Sequence, residues 1–343
     1  MKKVFIVTNS LSGGGAERAM NLVCSELSET LKNEFQITLI PINSGPEDLV
    51  DPNCRVVPID RKWRGGFTNT ILGYLKFTFL VLHERPRILM LNCALPELFA
   101  CLLPLSATYI VVEHSRNPWL GREVIGRLVR QILKWRQTKF VAVSEHLDIW
   151  SLPELTSDII PNPVFQTIFR STSEMQIKRL IFIGRLSIDK NPHSFIEISG
   201  ATKIPGLVIG DGILMEDLRR HSIKVSAKIN FVGQKKEPWQ LFEEGDLLIV
   251  PSRFEGDGLV VAEAILGGFP LLLSDIEEFR KFQLPSSNYC DSTKTFEEAI
   301  IEFSTNIGGL VPPSNSVELL KSERGLSSIS NSWSRLFRSI TKI

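Results

Sequence analysis

Two glutamates separated by seven residues, Glu255 and Glu263, stand in the segment Pro251–Pro270, PSRFEGDGLVVAEAILGGFP. Glu255 lies in a glycine loop with Gly256 and Gly258, and Glu263 falls a turn or more into the apolar helix that follows. The preceding run, Asp246–Val250 (DLLIV), reads as a buried parallel strand. Strand, glycine loop and helix together offer free backbone N–H groups and a helix dipole to a phosphate. The carboxylates add acceptors for hydroxyl groups on either side of it. A phosphate cradle flanked by hydroxyl acceptors describes a nucleotide-sugar site.

A second segment, Phe182–Pro192 (FIGRLSIDKNP), places Arg185 and Lys190 just after another apolar strand. A departing diphosphate needs cations, Arg giving forked hydrogen bonds and Lys a mobile point charge. The bland reading of such a pair is a solvated basic loop. The third segment, Ser12-Gly13-Gly14-Gly15-Ala16-Glu17-Arg18, follows the first strand and opens a helix. Its glycines permit close backbone approach to a ligand, or merely a tight turn. A dinucleotide fingerprint would need Gly or Ala where Arg18 stands, and an acid ending strand two. That strand ends Ile40-Pro41-Ile42-Asn43, so the dinucleotide reading fails. In the fourth segment, VVEHS, His114 sits at a strand's carboxyl end, where α/β folds bind ligands. A structural histidine is the alternative there, and His146 is a rival candidate. Asp211 has no matching D-x-D loop, so a metal-independent site is expected.

These segments resemble the retaining GT-B glycosyltransferases of family four, the glycosyl transferases group 1, of the bacterial surface-polysaccharide type. EGDGL resembles the family's EGFGL between the two glutamates, with Asp257 where Phe is common. GRLSIDK resembles its diphosphate clamp, GGGAER its N-terminal glycine loop, Leu207–Gly212 its second-strand turn and Asn230–Gln234 its base-binding strand end. The resemblance spans nearly the whole chain. It implies two Rossmann-like domains facing across a cleft, with the C-terminal helix crossing back to the first. The expected divisions are an acceptor-side domain over 1–165, a nucleotide-sugar-binding domain over 166–325 and the returning helix over 326–343. It also implies transfer of a sugar from a nucleoside-diphosphate sugar to an acceptor hydroxyl with retention. In that scheme Arg185 and Lys190 neutralise the diphosphate, helped by Gly14, Gly15 and the backbone near Gly256, Asp257, Gly258 and Leu259. Glu263 binds ribose, Glu255 holds the sugar and its oxocarbenium-like state, and His114 contacts a sugar hydroxyl. A nucleotide-sugar epimerase and a non-catalytic nucleotide-sugar-binding homologue are the alternatives.

The bulk properties agree with a soluble two-domain enzyme. A length of 343 residues suits two domains. Hydrophobic residues at 43% and charged residues at 22% are ordinary for a globular protein. A net charge of +1 leaves no global field to attract nucleic acid. The five cysteines are scattered, with no C-x-x-C pair, which reads as reduced thiols in the cytoplasm. Short apolar runs alternate with helical patterns and predict parallel α/β sheets. The strands expected are Val4–Val7, Gln36–Ile40, Val56–Ile59, Ile88–Leu91, Tyr109–Val112 and Phe140–Val143. Those expected in the second half are Leu180–Ile183, Gly206–Ile209, Ile229–Val232, Asp246–Val250 and Pro270–Leu273. Helices are expected at Ala16–Leu31, Thr68–His83, Ala262–Gly267 and Ser330–Ile340, with a linker near Pro161–Lys178.

One stretch bears on location. In Arg116–Lys139 a helical projection puts Arg127, Arg130 and Lys134 on one face and Val124, Leu128 and Ile132 on another, flanked by Trp119 and Trp135. A cationic amphipathic helix with tryptophans suits an anionic membrane surface; the bland alternative packs its apolar face on the sheet. The apolar tract Ile71–Leu82 is interrupted by Lys76 and too short to span a bilayer. The expectation is therefore a cytoplasmic enzyme, peripheral on the inner membrane face. It would act on a glycan acceptor, with a polyprenyl-diphosphate-linked one as the leading case.

Overall fold

In a computed structural model the chain is described over residues 1–11, 14–43, 55–62, 65–104, 106–164 and 176–341. It divides into two compact units, Met1–Pro163 with Arg324–Ile343, and Val164–Glu323. Ser12 and Gly13 of the glycine loop, and much of the expected linker, lie outside the described residues.

The first unit begins β1 (Lys2–Thr8), α1 (Gly15–Thr30), β2 (Phe35–Pro41), α2 (Phe67–Glu84) and β3 (Ile88–Asn92). It continues through α3 (Ala94–Ala100), β4 (Thr108–Glu113), α4 (Glu123–Trp135), β5 (Lys139–Ala142) and β6 (Asp158–Ile159). The strands form one sheet in the order β2-β1-β3-β4-β5-β6, and every pairing is parallel. Their apolar runs are continuous rather than alternating because both faces are covered. Phe5, Val7, Leu89, Leu91, Tyr109 and Val111 share one core with Phe77 of α2, Phe99 of α3 and Val129 and Leu133 of α4. Those three helices thus form one layer on one face of the sheet. The expected strand Val56–Ile59 is not formed. Only Val56 bridges Leu39; Val57 and Ile59 donate to the Leu39 and Pro41 carbonyls at 3.0 Å, but Pro41 has no N–H to return to Val57, so no second bridge forms.

The second unit contains β7 (Arg179–Ile183), α5 (Pro192–Thr202), β8 (Gly206–Ile209), α6 (Met215–Lys224), β9 (Ile229–Gly233) and β10 (Asp246–Val250). There follow α7 (Leu259–Gly267), β11 (Leu271–Ser274), α8 (Glu277–Arg280), β12 (Tyr289–Cys290), α9 (Thr293–Glu302) and α10 (Ser314–Arg324). The sheet order is β12-β11-β10-β7-β8-β9. The order makes β10 and β7 neighbours although some sixty residues part them, and the site depends on this. The two-residue strands β6 and β12 went unpredicted, each too short to show periodicity.

The last helix, α11 (Leu326–Thr341), packs against α1 in the first unit. Its Trp333 and Phe337 are buried, and Phe337 meets Phe35 edge-on at 6.0 Å. Arg338 pairs with Glu34 at 2.6 Å, and Lys2 Nζ donates to the Thr341 carbonyl at 3.0 Å. Trp333→Ala should empty this seam and cost the first unit roughly 3–5 kcal/mol. Urea unfolding followed by circular dichroism would measure it.

Candidate active site

In the second unit, Arg185 and Lys190 follow β7, and Glu255 follows β10. The two loops are stitched by backbone. The Asp189 carbonyl accepts from the Arg253 N–H at 2.8 Å and from Phe254 at 3.4 Å. This sets Lys190 Nζ 2.6 Å from Glu255 Oε2, while the Ser252 hydroxyl donates to Glu255 Oε1 at 3.0 Å. Arg185 is exposed on the same strand-end loop, and its guanidinium has no hydrogen-bond or ion-pair partner among the described residues. Behind it, glycines are needed for close approach. A Cβ on Gly210 would stand 1.8 Å from the Gly184 carbonyl oxygen, and one on Gly212 would stand 2.4 Å from that of Leu186. The β8 turn therefore backs the Arg185 loop directly.

Gly258 precedes α7 with φ +68°, and a Cβ there would meet the Phe282 ring at 3.1 Å. Glycine relieves both constraints, and α7 starts at Leu259 rather than Ala262. Its first N–H groups have no intrahelical partners and carry the positive end of the helix dipole. Gly256 lies half-buried in the same loop. Asp257 is buried and accepts from Lys281 Nζ at 3.2 Å, so its carboxylate is engaged within the protein. Glu263 is buried inside α7, and Trp239 Nε1 donates to its Oε2 at 2.7 Å. Trp239 in turn stacks on Phe269 with centroids 4.7 Å apart. Trp239, Ser252, Lys281 and the Asp189 carbonyl had no sequence signal, because their roles come from strand adjacency rather than a motif. A polar depression of ≈ 470 Å³ lined by Asn191, Ser252, Arg253, Asp275 and Thr293, among others, adjoins this loop. None of the two glutamates and two cations lines it, so the ion-pair geometry defines the site.

In the first unit, Gly14 is the residue before α1 and Gly15 its first residue. A Cβ on Gly14 would meet nothing nearer than Glu17 Oε2 at 3.9 Å, so the protein itself does not require glycine there. His114 directly follows β4 and is half-buried, as is His146 beyond β5.

Beside His114 lies a buried charge cluster that corrects the reading of α4. Arg130, expected on a cationic outer face, is fully buried. Its Nε and Nη2 donate to Glu97 at 2.6 and 2.9 Å, and its Nη1 pairs with Glu113. Trp119, expected to flank the helix, is buried too and donates to Glu97 Oε2 at 3.2 Å. Gly126 makes room for its ring, since a Cβ there would lie 2.4 Å from it. The Trp150 N–H completes the cluster on Glu113 Oε1 at 3.2 Å. The apolar residues Val124 and Leu128 face outward, so neither version of the sequence reading of this helix holds intact. Lys134 is tied to Glu154 at 2.5 Å.

Residues 165–306 match the family described as glycosyl transferases group 1. They are thus similar to a group 1 glycosyltransferase domain. That stretch contains both glutamates and both cations of the site. Over 281 residues the chain is 23% identical to a Campylobacter jejuni alpha-1,4-N-acetyl-D-galactosaminyltransferase named for a diphosphate–undecaprenol-linked acceptor, covering 77% of each chain. It is likewise 23% identical to an Escherichia coli UDP-Gal:alpha-D-GlcNAc-diphosphoundecaprenol alpha-1,3-galactosyltransferase, covering 80% of this chain and 79% of that one. Among solved structures, Anabaena HepE in complex with UDP and glucose superposes with a TM-score of 0.75 at 14% identity, covering 99% of this chain and 100% of that one. The fold is GT-B.

Two outcomes are expected. Burial, opposed by Arg130, pushes the Glu97 carboxyl up from 4.5 to about 7. A carboxyl raised on folding takes up a proton in the native state, so its stabilisation is complete below about pH 4.5 and fades as pH climbs through 7. Urea unfolding should show stability falling between pH 5 and 8, with a flatter profile in Glu97→Gln. Trp239→Phe should keep the ring stack but remove a buried hydrogen bond to the Glu263 carboxylate, costing about 1–3 kcal/mol. Trp239→Ala should cost roughly 3–5 kcal/mol in the same assay.

Proposed function

We propose that this protein transfers a sugar from a nucleoside-diphosphate sugar to a hydroxyl of a lipid-linked glycan, with retained anomeric configuration. The observation that carries the reading is the Lys190–Glu255 pair, fixed by the Asp189 carbonyl beside exposed Arg185. Both cations thereby stand at one set of strand ends, and Glu255, the partner of Lys190, lies in the loop that leads directly into α7. A pyrophosphate there receives forked hydrogen bonds from Arg185, a point charge from Lys190 and N–H donors from α7. These charges are in place before the reaction and stabilise the departing diphosphate without a divalent cation.

In this reading the bond from the anomeric carbon to the diphosphate breaks, and its electron pair leaves with the phosphate. The acceptor oxygen bonds to the same face of that carbon, and its proton passes to the leaving phosphate oxygen. Glu255 sits beside the developing positive charge of the sugar, Glu263 accepts from ribose hydroxyls and His114 contacts a sugar hydroxyl. The relatives named for undecaprenyl-diphosphate acceptors support a lipid-linked acceptor, surface-glycan assembly and peripheral association with the membrane.

Thermal shift with a panel of UDP-, GDP- and ADP-sugars should reveal one stabilising donor class. Arg185→Ala should weaken its binding by about tenfold to a hundredfold, the scale of one charged hydrogen bond. Nuclear magnetic resonance of the product should show the donor's anomeric configuration, and EDTA should leave turnover unchanged. Donor conversion without an acceptor, or an inverted product, would overturn the reading.

A further inference from the structure

The outer faces of α2 and α4 carry the densest set of large apolar side chains left in solvent. On α2, Phe67, Ile71, Leu75 and Phe79 recur every fourth residue and so form one stripe. Phe79 is 73% exposed. On α4 and the turn before it, Leu120, Val124 and Leu128 do the same and Trp135 follows two turns on, with Val124 82% and Trp135 81% exposed. The opposite sides of both helices, including Phe77 and Val81 of α2 and Val129 and Leu133 of α4, are already spent in the core. Packing within the chain therefore leaves the two stripes uncovered.

The stripes belong to one surface. Both helices lie in the same layer over the sheet, with α3 packed between them. Arg61 runs along α2, 3.3 Å from the position of a Cβ on Gly73. Burial, and secondarily the charge of Arg122 just before α4, holds the Arg61 guanidinium below its usual range. The amino ends of α2 and α4 follow the carboxyl ends of β2 and β4 in the chain. Each helix returns antiparallel to the strands, so those ends lie at the same sheet edge as His114.

Around the stripes the exposed charges are mainly positive. Lys62 precedes α2, Lys76 lies on it, and Arg122 and Arg127 flank the stripe on α4. The acids nearest in sequence are exposed Asp60, half-buried Glu84 at the end of α2, which Lys3 pairs at 2.6 Å, and half-buried Glu123, whose Oε1 accepts from the Gly121 N–H at 2.8 Å. Apolar stripes rimmed by lysine and arginine, with an aromatic at one end, match the chemistry of an anionic bilayer surface. A second copy fits less well, because a two-fold contact would set these cations against themselves. Among the described residues no helix is long and apolar enough to cross a membrane.

We propose that the outer faces of α2 and α4 together dock this protein onto an anionic lipid surface, with α2 as the principal inserting element. This deepens the lipid-linked reading of the acceptor and rests on it for its purpose. Docking at this edge brings His114 towards the headgroups, where a lipid-anchored diphosphate would be presented.

The test is flotation of the full chain with phosphatidylcholine vesicles, with and without phosphatidylglycerol. The chain should float with the anionic vesicles and not with the neutral ones. Leu75→Glu with Phe79→Glu should lower partitioning about tenfold or more while leaving the melting temperature and donor binding unchanged. Arg122→Glu and Arg127→Glu should each lower it about fivefold in a salt-dependent way. No flotation with anionic vesicles, or flotation indifferent to the α2 double variant, would overturn the proposal. So would light scattering that shows a dimer split by that variant. Flotation without sugar transfer would sink the transferase reading and leave this surface standing; transfer without flotation would do the reverse.

Discussion

A single backbone carbonyl holds the second unit's chemistry together. The Asp189 carbonyl, capped by the N–H groups of Arg253 and Phe254, locks the loop after β7 to the loop after β10. Without that lock Lys190 and Glu255 would be two long, solvated side chains, and an exposed pair of that kind is worth little. With it, the pair is partly buried and shares the carboxylate with Ser252. The remaining features of the loop serve the same end. Glycines at 210 and 212 let the β8 turn press against the Arg185 loop, and Gly258 lets α7 start under the rings of Phe279 and Phe282. Rigidity here comes from backbone contacts, and the charged side chains inherit it.

Much of the fold was legible in the sequence because parallel strands buried on both faces are written as uninterrupted apolar runs. Ten of the eleven expected strands overlap an observed one, and the exception meets β2 at Pro41, which has no N–H to complete a second bridge. Residue types and spacing also marked the loops that carry Arg185, Lys190, Glu255 and Glu263. What they could not show is how these residues meet. Sheet order decides that Lys190 faces Glu255, and sheet order depends on crossovers that no local pattern records. Trp239 illustrates the same limit. Its indole reaches Glu263 from a short turn 24 positions earlier.

Helix α4 shows how a projection misleads when charge is equated with exposure. Arg130 has the sequence signature of a surface cation, yet it is the hub of a fully buried cluster with Glu97 and Glu113. Burying an arginine is costly unless its donors are met, and here two carboxylates from α3 and β4 meet them. Those partners lie 33 and 17 positions away, beyond any helical period. Once Arg130 points inward beside Val129 and Leu133, geometry turns Val124 and Leu128 outward. The stripe of Val124 and Leu128 is thus a consequence of where the salt bridge sits.

The return of α11 to α1 has a consequence for the order in which the protein is made. The second unit is continuous in the chain and has all its strands once residue 323 has been synthesised. The first unit is not continuous. Trp333 and Phe337, which close its α1 side, emerge only after the whole second unit. During translation the unit begun first must wait with an apolar seam open while its neighbour folds. The first unit is therefore the one more exposed to chaperones and to misassembly on the ribosome, since its completion waits on residues that follow the whole second unit.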